Sequence, residues 1–150
     1  MSSVTAQKTS LEDHRKAFDE VAFLLDIFTA TIDNIMGGAT APVGRIAGRD
    51  MAKKLPIALD NPSLEEAMGI LSGRMKAGFE FSLEAAGTEV AFNRCILRDV
   101  CALRGREMGG ALCRLFHAYF DGIVNELICR PVKSEIKTCG ESCRTSIKVQ

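Results

Sequence analysis

At 150 residues, with 47% hydrophobic side chains, the chain has the size of one domain and enough apolar residues to build a core without disulfide staples. Nineteen basic and nineteen acidic residues cancel, so no global field draws the protein to nucleic acid or to an anionic membrane. The remaining asymmetry is local, with three basic and six acidic side chains in residues 1–36 against five and two in residues 130–150.

Residues 1–10 read as a polar, frayed tail. They lack a basic region leading into an apolar stretch, and no run approaches the ~18 apolar residues that a membrane span needs. A cytoplasmic protein is the expectation, and in that compartment thiols stay reduced. Ser10-Leu-Glu-Asp resembles a capping box that opens a helix. Its apolar positions, Phe18, Val21, Phe23, Leu24, Leu25, Ile27, Phe28, Ile32 and Ile35, recur around most of the surface. That is too broad for a half-exposed helix in a monomer, and it points to a buried helix or to a homodimer formed through it.

Gly37-Gly38 stops the first helix. A second begins near Pro42, with Val43, Ile46, Ala47, Met51 and Leu55 on one side and Arg45, Arg49 and Lys53 on another. Pro56 ends it, and Asn61-Pro62-Ser63 opens a shorter third helix that runs to Met75. Beyond Gly78 the period falls to two. Phe79, Phe81 and Leu83 alternate with Glu80, Ser82 and Glu84, and Gly87-Thr88 turns the chain into Val90 and Phe92, which makes a β-hairpin. Residues 105–128 return to helical spacing, with Met108, Leu112, Leu115, Tyr119 and Ile123 as a stripe. A second hairpin pairs the strand after Pro131 with the strand from Arg144, with Cys139-Gly-Glu-Ser-Cys143 at its turn. The expected fold class is α+β, one domain over residues 11–150, in which N-terminal helices, a hairpin, a long helix and a second hairpin give a four-stranded antiparallel sheet packed on helices.

The six cysteines carry the chemical question. Strict alternation along a strand points Glu135 and Cys139 to one face, and a tight turn returns Cys143 beside them. The long helix offers Cys113, with His117 one turn later, so thiolates with a carboxylate or imidazole could converge on a metal. Zinc accepts such mixtures, and sulfur-rich sets also hold iron–sulfur clusters. The plainer alternative is small buried thiols at a strand end. Cys95 is a reserve ligand, as is His117, whereas Cys101 and Cys129 read as packing. Nothing resembles a nucleophile–base triad, a P-loop or a dinucleotide fingerprint. Gly44-Arg-Ile-Ala-Gly48-Arg lacks the P-loop lysine. Arg45 and Arg49 are either a solvated face or a clamp for a ligand's acidic group.

From about Cys95 onward the chain resembles the 4-vinyl-reductase domain family. The resemblance is carried by the cysteine-bearing helix with Tyr119-Phe120, by Arg130-Pro131-Val132 and by Glu135-Ile-Lys-Thr-Cys139-Gly-Glu-Ser-Cys143. That family includes small hydrocarbon-binding proteins and the sensory domains of activators that respond to aromatic compounds. The resemblance implies a zinc site of Cys113, Glu135, Cys139 and Cys143, or an iron–sulfur cluster on similar positions. It also implies a pocket for a hydrophobic or aromatic small molecule, with Phe79, Phe81, Phe92, Phe116 and Tyr119 as candidate walls. Two features depart from the family pattern: the gap between the last two cysteines is shorter, and Glu135 stands one residue further from Cys139.

Three functions follow as expectations. The first is a non-catalytic small-molecule-binding or sensing module with a structural metal. The second is an iron–sulfur or redox-sensing regulator that uses the same cysteines. The third is a dimeric scaffold or assembly subunit without a ligand.

Overall fold

A computed structural model describes residues 10–150, so the expected tail, Ser10 apart, lies outside the described residues. These residues form five α-helices and four strands. Helix α1 spans Leu11–Ile35, α2 Ala41–Lys54 and α3 Leu64–Arg74, followed by β1 Phe79–Glu84 and β2 Glu89–Cys95. Then come α4 Leu97–Arg104, α5 Ala111–Ile128, β3 Val132–Cys139 and β4 Cys143–Val149. The sheet is antiparallel in the order β1-β2-β4-β3, so the two hairpins meet through β2 and β4. No helix among the described residues is long and apolar enough to cross a membrane.

Local chemistry sets most boundaries. The Ser10 hydroxyl accepts from the Asp13 N–H at 3.1 Å, and the Asp13 carboxylate accepts from the Ser10 N–H at 3.3 Å, a complete capping box. Gly37 and Gly38 end the first turnout at φ 61° and 86°, where a side chain is disfavoured. Ser63 caps α3 through the Glu66 N–H. One element departs from the expectation: Leu97–Arg104 is a helix of its own, and the long helix starts only at Ala111 after a loop with positive φ at Gly105 and Gly109.

The inner face of the sheet packs on α5 through phenylalanines. Phe79 stacks on Phe116 with centroids 4.7 Å apart, Phe81 meets Phe120 edge-on at 5.1 Å, and Phe92 meets both Phe116 and Phe120. Such pairs add stabilisation beyond the apolar area they bury.

Helix α2 crosses α5 on glycine rather than on the expected stripe. Gly44, Gly48 and Ala52 are its buried residues, whereas Ile46 and Met51 are exposed. A Cβ on Gly44 would stand 2.7 Å from Ala118 Cβ, and one on Gly48 would overlap the Tyr119 carbonyl oxygen. On the α5 side a Cβ on Gly122 would strike the Arg45 carbonyl. The Gly44-Arg-Ile-Ala-Gly48 motif therefore serves close backbone approach.

Helix α1 docks through Ala22, Asp26 and Thr29. Asp26 is buried and accepts from Arg106 Nε at 3.1 Å and Arg104 Nε at 3.3 Å. Burial opposes its ionisation, but the two guanidiniums outweigh that and hold its pKa below the usual carboxylate value. The other flanks of α1 expose Val21, Phe23, Leu24, Ile27, Phe28 and Ile35.

Candidate metal centre and adjoining cleft

The ends of four elements meet at one point. Cys95 closes β2, Cys113 lies in the first turn of α5, and Cys139 and Cys143 are register partners that close β3 and open β4. All four line a small cavity of about 10 Å³, together with Phe92, Leu97, Met108, Phe116 and His117. That volume holds one water at most. All six cysteines carry free thiols. Cys101, expected to be packing alone, is buried and borders a different cavity, which it shares with Cys113. Cys129 ends the opposite terminus of α5, roughly 24 Å from Cys113 at 1.5 Å per residue; it is exposed.

Glu135 does not join the thiols. A bulge in β3 pairs Ile136 with Thr145 and Thr138 with Arg144, skipping Lys137, so the alternation slips by one residue before Cys139. Val132, Ser134 and Ile136 are the inward positions, and Glu135 points out with its side chain 76% exposed, 3.7 Å from Lys137 Nζ. The expected parity of Glu135 and Cys139 is thereby corrected. Cys95, the reserve, occupies the place that Glu135 was expected to take.

Electrostatics discourage several thiolates at once. Burial and the neighbouring Cys143 push the Cys139 thiol up to about 11, and burial and Cys113 do the same to Cys101. Burial also raises Cys95, with Cys113 and Cys143 adding to it. A bound cation reverses this, since it is the local charge that makes coordinated thiols ionise. Arg98 gives partial compensation, with one guanidinium nitrogen 3.6 Å from Cys143 Sγ and the other on the Glu141 carbonyl. Among the described residues no group of three or more His, Cys, Asp or Glu side chains is arranged to hold a metal ion as it stands. Four thiols are the kind and number of donors that a thiophilic ion takes, but as they stand they do not form a ligand shell.

His117 forms the wall on the α5 side. It is 9% exposed, packs edge-on against Phe92 at 5.2 Å, and burial lowers its pKa to about 4. Its Nδ1 is buried without a partner. On its far side the same residue borders a second, open cleft between the start of α2, α5 and β3, where Arg45 also lies. Asp121, one turn after His117, accepts from the Ser134 N–H at 2.9 Å. Burial raises its pKa, while Ser134 and Arg45 oppose the rise.

A scan of protein-family models matches none to this chain, and a search of curated proteins returns no significant match. The family resemblance thus rests on the quoted residues alone.

The other candidate binding residues divide. Phe79, Phe81, Phe92 and Phe116 are spent on packing one another, although Phe81 also borders an open groove of about 820 Å³ between α3 and β1. Tyr119 is half-buried against Phe116. Arg49 is engaged by Glu126 at 3.1 Å. Sequence reasoning passed over Asp121 and Ser134. The available signal was an acid inside the apolar run Phe120-Asp-Gly-Ile-Val, four residues from the histidine and eight from Cys113 on one helix face.

Proposed function

We propose that this chain is a non-catalytic binding module whose C-terminal hairpin is clasped to α5 by a metal ion on Cys95, Cys113, Cys139 and Cys143, with zinc the favoured ion. One observation carries the reading: four cysteines from four separate element ends line a single small cavity. Chance packing of thiols has no reason to gather them from across the chain. Four thiolates suit zinc in a closed tetrahedral shell, which leaves no coordination position for water and so favours a structural over a catalytic role. The cavity that the thiols share is small, which favours a single ion. When bound, the ion would supply folding energy by tying the tip of the last hairpin to β2 and α5.

The 4-vinyl-reductase resemblance supports a metal at this place, with one substitution in the ligand set, Cys95 for Glu135. The iron–sulfur or redox-sensing reading is kept as the second one because a further thiol, Cys101, shares a neighbouring cavity with Cys113. We propose further that a second copy of the chain covers α1, whose exposed flanks are apolar along most of its length.

Elemental analysis of anaerobically purified protein tests the metal. The expected result is colourless protein with stoichiometric zinc, lost in Cys95→Ser and Cys139→Ser and kept in Glu135→Gln and Cys129→Ser. Loss in Glu135→Gln with retention in Cys95→Ser would refute the ligand set. Brown, iron-containing protein would replace zinc with the second reading.

A further inference from the structure

Exposed large hydrophobic side chains concentrate on one element. Among the described residues, all of them except Ile46, Met51 and Leu103 stand on α1 or on Met36 at its C-terminal cap. Side chains of this size, each about half exposed, offer together on the order of 800 Å². A monomer typically leaves its largest apolar patch at about 300–600 Å², whereas each partner in a standard interface contributes about 800 Å².

Within that surface one stripe has a finer order. Ala17, Val21, Leu24, Phe28, Thr31 and Ile35 follow one another at steps of four, three, four, three and four residues, and all six are exposed. Alternating steps of three and four are those of a seam that faces a second helix along its length. The residues that dock α1 on its own domain, Ala22, Asp26 and Thr29, lie on another face. Burial of the seam strands no polar group, because the Thr31 hydroxyl already donates to the Ile27 carbonyl at 2.8 Å.

The steps read the same from either end, so the stripe is symmetric about residue 26 and a two-fold axis there brings it onto itself. Antiparallel copies then set Ala17 against Ile35, Val21 against Thr31 and Leu24 against Phe28, each layer pairing a smaller side chain with a larger one or two of middling size. Parallel copies would stack Phe28 on Phe28 and Ala17 on Ala17, one layer crowded and another hollow. Charge selects the same direction. Residues 11–20 hold four acids, Glu12, Asp13, Asp19 and Glu20, against Arg15 and Lys16. Further along α1 the only acids are Asp26, held by Arg104 and Arg106, and Asp33, held by Arg114. A parallel pair would lay two net-negative ends side by side. An antiparallel pair holds them about 30 Å apart at 1.5 Å per residue, well beyond the ~8 Å screening length at physiological salt.

We infer that two copies of the chain join through α1 as an antiparallel pair, packed along this seam with the two-fold axis at the level of Asp26. The pairing rests on the second copy proposed above and adds its direction and register.

Cysteine cross-linking in a Cys129→Ser background, with that background alone as the blank, tests both. Ala17→Cys and Ile35→Cys are each prepared alone and also coexpressed, then treated with a short bismaleimide. The coexpressed chains are expected to give covalent dimer several-fold above either variant alone, because only the mixed pair brings the two new thiols together. Val21→Cys with Thr31→Cys repeats the test one layer inward. Both positions of each pair are exposed, and circular dichroism checks that the helices are kept. Cross-linking of Ala17→Cys or Ile35→Cys alone at the level of the mixture shows a parallel pair and overturns the inference. A dimer in light scattering that gives no cross-link above the blank places the interface elsewhere and also overturns it. A monomer at micromolar concentration removes the second copy itself, and the seam with it.

Discussion

Alanine at Gly48 probes whether the α2–α5 crossing is as tight as the backbone indicates. In an isolated helix the substitution favours folding by about 1 kcal/mol, because alanine loses less conformational freedom than glycine. Here the new Cβ falls on the Tyr119 carbonyl oxygen and 2.9 Å from the Ile123 nitrogen. Both are backbone atoms inside a helix, so neither rotates away and the helices have to separate. Separation also undoes the contacts at Gly44 and Gly122, and overpacking of this kind typically costs 1–3 kcal/mol, more against backbone, so a net loss of about 2 kcal/mol is expected. For a domain of this size that lowers the melting temperature by about 4–8 °C. Gly69 and Gly73 on α3 supply the control, since a Cβ at either has nothing within 4 Å. Gly69→Ala and Gly73→Ala should each raise the melting temperature by about 2–4 °C. Thermal unfolding followed by circular dichroism separates the cases. A Gly48→Ala variant that gains stability as the α3 variants do would refute the close crossing, and with it the placement of Arg45 against Gly122.

Two further outcomes are accessible by simple assays. Burial sets the His117 pKa at about 4 against an ordinary 6.5, so the fold prefers the neutral ring. The unfolded chain takes up that proton first, and stability falls as pH drops from about 6.5 toward about 4, by up to ~3 kcal/mol. Urea unfolding across that window should show the slope in the wild type and not in His117→Gln; equal slopes would assign it elsewhere. Phe28 is 59% exposed and Leu24 53% on one flank of α1, so Phe28→Glu should convert a dimer to a monomer in light scattering without lowering helical content. A wild-type monomer at micromolar concentration would remove the α1 interface.

Periodicity was a reliable guide where one face of an element meets one environment. The hairpins around Gly87-Thr88 and Cys139–Cys143, the capping box at Ser10 and the stop at Gly37-Gly38 are local events, and the residues that make them are adjacent in the chain. Tertiary choices were not legible in the same way. On α2 the branched residues Val43 and Ile46 form the obvious apolar stripe, yet Gly44 and Gly48 are buried, because backbone-to-backbone approach to α5 outcompetes it. Helix α4 mixes Leu97, Val100 and Cys101 with two arginines and an aspartate over eight residues, too short a window for a period to register. The thiol site was legible in its three core members, Cys113, Cys139 and Cys143. Its fourth turned on a single bulged residue, Lys137, and a one-residue slip exchanges the two faces of a strand. The aromatic residues read as pocket walls have the same composition as core residues, and only their mutual distances identify them as core.

The position of the thiols follows from how β3 is held. It is an edge strand, and its first half is secured to the body by the Asp121–Ser134 hydrogen bond and by Val132 in the core. Past the bulge, Lys137, Thr138 and Cys139 are exposed, and the tip from Gly140 to Ser142 is tied back by the Arg98 guanidinium on the Glu141 carbonyl. An edge strand with an exposed end can pair wrongly or slip in register. Cys139 and Cys143 stand directly across from each other at that end, whereas Cys113 and Cys95 belong to the elements it must be fastened to. A metal on these four groups would fix the register where the backbone ladder is weakest. It would also hold His117 from the thiol side, while His117 and Asp121, one turn apart on the same rigid helix, form the floor of the polar cleft. Clasp and cleft would therefore be coupled through α5 with no need for a moving part: whatever stabilises the hairpin also fixes Ser134 opposite Asp121.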